Sequence, residues 1–129
     1  MRDTAVLNEL SGGVIGAAIE VHRELGPGLL EQVYVECLAR ELTLGGYQVQ
    51  REIEIPVLYK GERLTKPLRL DLLVENELIV EAKASDALLP VHSAQLLTYL
   101  KMTGCKLGLL LNFNVDVMHK GVKRVVNGF

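Results

Sequence analysis

The chain has 129 residues, of which 49% are hydrophobic and 23% are charged. This length and composition predict one folded domain with a single core and exclude a disordered chain. The net charge of −2 is not that of a typical nucleic-acid binder, so any phosphate-binding surface has to be local.

Neither a membrane segment nor a disulfide framework is predicted. The apolar runs are too short to span a bilayer, and residues 1–4 show no signal-peptide pattern. Cys37 and Cys105 lie far apart and fit no CxxC motif. Both are expected to be reduced in a packed interior, which favours a cytoplasmic protein.

Two helices are predicted in the first third of the chain. Apolar residues recur at helical spacing over residues 11–25, and Gly26 with Pro27 ends this segment. A second helix is predicted over residues 29–44, with Gly45 after its last turn. The acid Glu31 then lies in the first turn of the second helix, with Gly28 as its N-cap and Glu31 at the third helical position.

Residues 48–59 alternate between apolar and polar side chains, which predicts a half-buried strand. Pro56 places this strand at an edge of the sheet or at a bulge. The residues predicted to share its buried face are Val49, Ile53, Ile55 and Val57.

A turn at residues 60–63 leads to a hairpin over about residues 67–84, and a loop at 85–90 precedes a helix over 91–103. Residues 106–113 are nearly all apolar, as expected for a strand buried on both faces. The segment after Asn114 is ambiguous between a last strand and a short helix. The predicted order is α-α-β-β-β-α-β, an α/β chain with a mixed sheet.

Two acids are predicted to meet on the central hairpin. Residues 75–77 form a plausible three-residue loop, because Asn76 tolerates a positive φ. That loop brings Asp71 opposite Glu81, with Cβ atoms about 4.5–5.5 Å apart. The predicted pairs are Val74 with Leu78, Asp71 with Glu81, and Arg69 with Lys83. Regular alternation predicts two faces for the first strand: Leu68, Leu70, Leu72 and Val74 on one, and Arg69, Asp71 and Leu73 on the other.

The facing carboxylates allow two interpretations. They repel each other, and a divalent cation between Asp71 and Glu81 would remove that repulsion. The alternative is a structural lattice of diagonal salt bridges, Asp71 with Lys83 and Arg69 with Glu81. The apolar flanks count against the lattice, because a charge cluster buried among them gains little after desolvation.

Several blocks of the sequence together resemble the GxxExxY protein family. Residues 28–34 match the motif that names the family, and the resemblance extends over nearly the whole chain. The family is placed in the PD-(D/E)xK nuclease superfamily, so the resemblance implies a restriction-endonuclease-like α-β-β-β-α-β core with an extra N-terminal helix. It also implies that residues 1–129 form a single nuclease-like domain. The other matching blocks are residues 19–28, 69–73, 80–83, 92–100 and 110–113.

The resemblance assigns the central residues of a metal site. Asp71 corresponds to the motif acid, although Leu70 stands where the literal motif has proline, and residues 81–83 correspond to the ExK triplet. Asp71, Glu81 and the carbonyl oxygen of Ala82 would then hold Mg²⁺ or Mn²⁺ through hard oxygen ligands. Lys83 would position the attacking hydroxide and offset charge in the transition state.

Three further residues are candidates for the site. Many members of the superfamily complete the metal site with a helical glutamate, which Glu31 resembles; the alternative is an ordinary acid at a helix start. Gln95 and Tyr99 share a helix face and resemble the QxxxY motif of RecB-like exonucleases. The alternative is that Tyr99 belongs to the core and Gln95 caps a strand.

The roles of three other residues are left open. Tyr34 is expected to pack with its hydroxyl on a polar neighbour. His22 resembles an upstream histidine that approaches the metal in some RecB-like enzymes, and His92 precedes Gln95 by three residues. For both histidines a structural role is the stronger expectation.

Two functions remain in competition at this stage. The first is a metal-dependent nuclease acting on DNA or RNA, with nucleic acid as substrate and no membrane partner. The second is a non-catalytic module that binds nucleic acid or a protein partner, and an apolar edge near Ile53, Ile55 and Val57 would allow a homodimer. The sequence predicts neither the substrate nor the mode of cleavage.

Overall fold

The computed structural model describes residues 4–129. Three helices, α1 (Thr4–Leu25), α2 (Glu31–Leu44) and α3 (Pro90–Thr103), pack on a five-stranded mixed sheet. A short 3-10 helix, Met118–Gly121, precedes the last strand. The strands are β1 (Val49–Ile55), β2 (Leu58–Tyr59), β3 (Glu62–Arg63), β4 (Leu68–Val74), β5 (Leu78–Lys83), β6 (Leu107–Asn112) and β7 (Val122–Val126).

The main sheet has the strand order β1-β4-β5-β6-β7. Only the β5–β6 pair is parallel among its four neighbouring pairs, and α3 makes the crossover between those two strands. This confirms the mixed sheet and the predicted core order. The structure adds a separate two-stranded sheet, β2–β3, and it resolves the ambiguous end of the chain as the 3-10 helix followed by β7.

Two hydrophobic cores lie on opposite faces of the sheet. The first packs α1 and α2 against β4, β5 and β6, and the second packs α3 against the other face. Cys105 belongs to the second core, whereas Cys37 is only partly buried, and both thiols are free. Across residues 4–129, no helix combines the length and the apolar character that crossing a membrane requires.

The helix boundaries differ from the predicted ones for local reasons. Helix α1 begins by Thr4, because Leu7 and Leu10 continue its buried stripe. Helix α2 begins at Glu31, because Gly28 takes a positive φ of 96° and Leu30 is extended at the N-cap. The predicted N-cap role of Gly28 and the third helical position of Glu31 are therefore wrong.

The loop between β4 and β5 confirms the predicted register. Residues 75–77 form the three-residue turn, and both Glu75 and Asn76 take positive φ angles, 54° and 57°. Val74 pairs with Leu78 as predicted. The recorded pairing between the two strands ends at Leu72–Val80, one residue before the two acids.

The predicted alternation along β4 is wrong at Asp71. Leu72 belongs to the first core, but Leu70, only two residues away, belongs to the second. The same exchange occurs on β1, where Val49 packs on the first core and Ile53 on the second. Regular strands keep such residues on one face. The exchange coincides with Glu52, which takes a positive φ of 52° and lies level with Asp71.

Candidate active site

The side chain of each acid accepts a hydrogen bond from the backbone of the strand that carries the other acid. The N–H of Asp71 donates to Oε2 of Glu81 at 2.8 Å, and the N–H of Ala82 donates to Oδ2 of Asp71 at 2.9 Å. The two carboxylates thus take the place of main-chain acceptors just beyond the last recorded β4–β5 pair. This arrangement fixes both side chains beside the point where β1 and β4 depart from regular alternation.

Burial makes this carboxylate pair electrostatically costly. Glu81 is only 5% exposed, and burial together with the nearby Asp71 charge raises its pKa to about 8. Burial also raises the pKa of Asp71, although the hydrogen bond from Ala82 and the charge of Lys83 oppose that shift. The pair therefore favours either a proton or a cation over two bare charges.

The predicted salt-bridge lattice does not form. Arg69 instead pairs with Glu54 at 3.5 Å and with Glu52 at 3.9 Å, on the side of the sheet edge. Among the ion pairs within residues 4–129, none contains Lys83. The predicted Asp71–Glu81 and Arg69–Lys83 backbone pairs do not form, because the pairing of β4 with β5 ends at Leu72–Val80. On its other side Lys83 pairs with Asn112 of β6. Lys83 is half-buried and close enough to lower the pKa of both acids.

Glu52 is a further acid beside the site, and its only signal in the sequence was its place among the polar residues that alternate along the first strand. It lies level with Asp71 on β1, and its charge raises the pKa of Asp71. Its carboxylate is 4.0 Å from the guanidinium of Arg51 and 3.9 Å from that of Arg69. These two cations partly offset its charge, so Glu52 borders the site without joining the buried pair.

Glu31 approaches the site from the start of α2. Its Oε2 accepts a long hydrogen bond of 3.4 Å from the N–H of Ala84, the residue after Lys83. Its charge also raises the pKa of both Asp71 and Glu81. Glu31 is therefore a neighbour of the carboxylate pair, although its side chain is exposed.

Tyr34 holds the turn that sets the position of Glu31. Its ring is fully buried and stacks on Phe113, with centroids 4.4 Å apart and an interplanar angle of 7°. Its hydroxyl donates to the Gly26 carbonyl at 2.6 Å and accepts from the Leu29 N–H at 3.1 Å. This agrees with the packing role expected for Tyr34 and links both ends of the turn before α2.

Tyr34→Phe is expected to lower the free energy of unfolding by about 1–3 kcal/mol, because it removes the two part-buried hydrogen bonds between the hydroxyl and the backbone of the turn. The ring stack should persist. Urea unfolding measures the effect, with Tyr59→Phe as the control, since Tyr59 is exposed. A loss below about 0.5 kcal/mol, equal in both variants, would show that the hydroxyl does not hold the turn.

Asn112 fixes the backbone at the end of the acid strand β5. It is 2% exposed and lies at the end of β6, beside Lys83. Its Nδ2 donates to the Ser85 carbonyl at 2.9 Å, and its Oδ1 accepts from the N–H of Ser85 at 3.2 Å. This double contact fixes the chain just after Lys83. Its signals in the sequence were a single amide at the end of an apolar run and its place in the block of residues 110–113 that resembles the family.

The two residues of the QxxxY pattern have different environments. Tyr99 is 6% exposed in the second core, and burial, followed by the charges of Glu81 and Asp71, raises its pKa. It is therefore both a core residue and a neighbour of the acids. Gln95 is exposed one turn earlier on α3, and no hydrogen bond within residues 4–129 involves its side chain.

Both histidines that were considered make structural contacts. Nε2 of His22 lies 2.8 Å from the Val115 carbonyl oxygen, and His22 is 8% exposed. Nδ1 of His92 accepts the N–H of Leu89 at 3.0 Å at the start of α3. These contacts account for both side chains without a metal.

The donor set of the pair suits a hard divalent cation. One oxygen of each carboxylate is held by a backbone N–H, and the hydrogen bonds within residues 4–129 leave Oδ1 of Asp71 and Oε1 of Glu81 without a donor. Such carboxylate oxygens are the ligands that Mg²⁺ prefers. Within the same residues, however, no three His, Cys, Asp or Glu side chains are close enough to hold a metal together. A cation at this pair would therefore need ligands from main-chain oxygens or water.

Comparisons with known proteins cover most of the chain. No curated protein matches it. A crystal structure of SSO0001 shares 18% sequence identity, covering 93% of this chain and 66% of that one, with a TM-score of 0.49. The chain thus spans slightly less than two thirds of the length of that protein. A family model for the PD-(D/E)XK nuclease superfamily matches residues 8–125, so the chain belongs to the PD-(D/E)XK nuclease superfamily.

Proposed function

We propose that this chain is a metal-dependent nuclease that hydrolyses phosphodiester bonds of DNA or RNA. The observation that supports this most is the buried pair formed by Asp71 and Glu81, with Lys83 beside it. A purely structural pair would gain little from this arrangement, because both carboxyl groups are held where burial penalises their charge. Membership of the superfamily supports the same chemistry, since its nucleases generally depend on divalent metals.

The proposed metal ligands are Asp71, Glu81 and the carbonyl oxygen of Ala82, with Glu31 as a further acid at the rim. The ion is Mg²⁺ or Mn²⁺, because the donors are hard oxygens. A divalent cation there would supply Lewis-acid activation of water and would neutralise phosphate charge. The 3.4 Å contact of Glu31 to the Ala84 N–H is weak, so Glu31 can exchange it for a water or a ligand without large cost.

The other candidate residues have roles around the scissile phosphate. Lys83 places a positive charge where negative charge develops in the transition state. Tyr99 lies in the second core, close enough to the acids for their charges to raise its pKa, and Gln95 is exposed one turn earlier on α3, where it would orient a water or a phosphate oxygen. In this assignment residues of the chain bind and orient the phosphate and the water, and they neutralise the charge that develops.

The same observations support proposals on the family, the domain and its location, and a protein partner. We place the chain in the GxxExxY family, because Gly28, Glu31 and Tyr34 act as one unit: a positive-φ turn, an acid and a clamp. We treat residues 1–129 as one nuclease-like domain in the cytoplasm, with two free thiols. A homodimer or a protein partner would use the exposed edge strand β1, near Ile53 and Ile55.

One observation favours the alternative of a non-catalytic module that binds nucleic acid or a protein partner. No cluster of three metal-binding side chains exists within residues 4–129. A module of this kind would bind no cation at the carboxylate pair.

Calorimetric titration with Mg²⁺, Mn²⁺ and Ca²⁺ separates the two functions. We expect wild type to bind the cations and Asp71→Asn to lose that binding. Glu52→Gln is the matched control, because it removes the same charge beside the site but no proposed ligand. Equal heats in wild type and Asp71→Asn, or no binding even with an oligonucleotide present, would favour the non-catalytic module.

A further inference from the structure

Residues 58–67 form an exposed arm between β1 and β4. All ten residues are exposed, and β2 and β3 pair only with each other, through Leu58–Arg63 and Tyr59–Glu62. The N–H of Leu64 donates to the Val57 carbonyl at 2.8 Å and closes the base of the arm. Neither core includes any residue of the arm. Packing against the rest of the protein therefore does not explain its composition.

The tip of the arm is a tight turn with a preset shape. Lys60 and Gly61 both take positive φ angles, 50° and 85°, as in the two-residue turns that match the twist of a hairpin. Lysine adopts this region at a cost in energy, and such local strain is concentrated at binding and catalytic elements. Nζ of Lys60 lies 5.5 Å from the centroid of the Tyr59 ring.

The arm differs in charge from the rest of the protein. It carries three cations, Lys60, Arg63 and Lys66, and one carboxylate, Glu62, whereas the whole chain has a net charge of −2. It also exposes a tyrosine ring, with 62% of Tyr59 accessible. Basic side chains interleaved with an exposed aromatic ring are the features of surfaces that bind single-stranded nucleic acid.

The arm is attached close to the carboxylate pair. Its base is the pair Ile55–Leu68, and Asp71 follows three residues later on β4. At the rise of a strand, Asp71 lies about 10 Å from this base. A strand bound along the arm would therefore lead toward the acids within two nucleotide lengths.

We infer that the arm binds a single-stranded segment of nucleic acid, with the Tyr59 ring stacked on an unpaired base and the three cations along the phosphates. The direction of the strand toward Asp71 rests on the proposed nuclease function, but the binding itself does not. The cations favour a polyanion over a protein partner, because an apolar docking surface would be weakened by three desolvated charges. Leu58 and Leu64 add apolar surface beside the stacked base.

The test is fluorescence anisotropy with a labelled single-stranded oligonucleotide of about 20 nucleotides, longer than the site of one binding module. Ca²⁺ replaces Mg²⁺ so that binding is measured without cleavage. The arm triple variant and a matched control triple each remove three exposed cations. The arm variant is Lys60→Ala, Arg63→Ala, Lys66→Ala, and the control is Lys101→Ala, Lys120→Ala, Lys123→Ala.

We expect the arm triple to raise Kd at least tenfold and the control triple to raise it less than threefold. The slope of log Kd against log salt should fall by about 2 for the arm triple, from three lost phosphate contacts. Tyr59→Ala should raise Kd at least fivefold, whereas Tyr59→Phe should not. Glu62→Gln should tighten binding, because it removes the carboxylate opposite Tyr59. Thermal unfolding checks that each variant remains folded.

The outcomes separate this inference from the proposed function. Wild type that binds through the arm but cleaves nothing supports the inference and overturns the nuclease. Wild type that cleaves, with equal Kd values for the two triples and an unchanged Kd for Tyr59→Ala, overturns the inference and retains the nuclease. No binding of the oligonucleotide, or an arm variant that changes only the oligomeric state, also overturns the inference.

Discussion

Asp71→Asn is expected to slow phosphodiester cleavage by a factor of ~10³ or more, which corresponds to ~4 kcal/mol in the activation barrier. The amide keeps an oxygen that accepts the Ala82 N–H, so the local backbone should remain in place. What it removes is the charge that would pair with the proposed cation. Because that charge is penalised by burial, metal-free Asp71→Asn should be at least as stable as wild type.

Lys83→Met distinguishes loss of the metal from loss of catalysis. This variant keeps both carboxylates and should still bind Mg²⁺, but it removes the positive charge beside them, with an expected loss of ~10²–10³ in rate. Glu52→Gln should retain cleavage within a few-fold. A clean preparation of Asp71→Asn that cleaves at the wild-type rate would remove Asp71 from the mechanism and leave the non-catalytic module as the better description.

The hairpin that carries the acids was predictable because its determinants are local. The Glu75-Asn76-Glu77 loop sets the register through its length, and Asn76 adopts the positive φ that such loops need. An even-length loop would have placed Asp71 and Glu81 on different faces. The alternation of apolar residues and the turn residues between them therefore suffice for β4, β5 and their register as far as Leu72–Val80.

The exchange of faces at Asp71 was not predictable in this way. Alternation assumes a regular strand, and it placed Leu70 and Leu72 on one face although they pack in different cores. The irregularity lies level with Glu52, and a glutamate carries no sequence signal for a positive φ. The strand deviates where the carboxylates replace the main-chain pairing, at a candidate functional site, which is where local rules are expected to fail.

The contacts made by Glu31 and Asn112 also depend on the tertiary structure. Asn112 clamps Ser85 only because β6 runs parallel to β5 beside the end of the acid strand. Glu31 reaches Ala84 from the start of α2, just after the turn that the Tyr34 hydroxyl bonds. The resemblance suggested Glu31, but no spacing in the sequence gives the distance between α2 and β5.

Glu81 is expected to make the metal-free protein less stable at pH 8 than at pH 5. Its folded pKa of about 8 is raised from an ordinary value of 4.5, so the folded state holds the proton more tightly than the unfolded state. The stability from this group is full below about pH 4.5 and is lost as the pH rises through 8. The free energy of unfolding should fall by about 3–5 kcal/mol as the pH rises from the unfolded to the folded pKa of Glu81.

Glu81→Gln tests this linkage directly. Glutamine still offers an oxygen to the Asp71 N–H but has no proton to lose, so its stability should change much less between pH 5 and pH 8. Glu24→Gln, an exposed change on α1, should behave like wild type. Urea unfolding at both pH values in EDTA measures the difference. If the free energy of unfolding of wild type changed as little between pH 5 and pH 8 as that of Glu81→Gln, Glu81 would be ionised in the folded state without a partner.

Mg²⁺ should restore part of the lost stability at pH 8 and little at pH 5, because binding requires that the proton leave Glu81. At a concentration a hundredfold above its dissociation constant, a ligand that binds only the folded state adds about 2.7 kcal/mol. This gain should disappear in both Glu81→Gln and Asp71→Asn. An equal gain in stability from Mg²⁺ at both pH values would show that the cation binds elsewhere. Only a site where the cation competes with the proton on Glu81 makes this gain depend on pH.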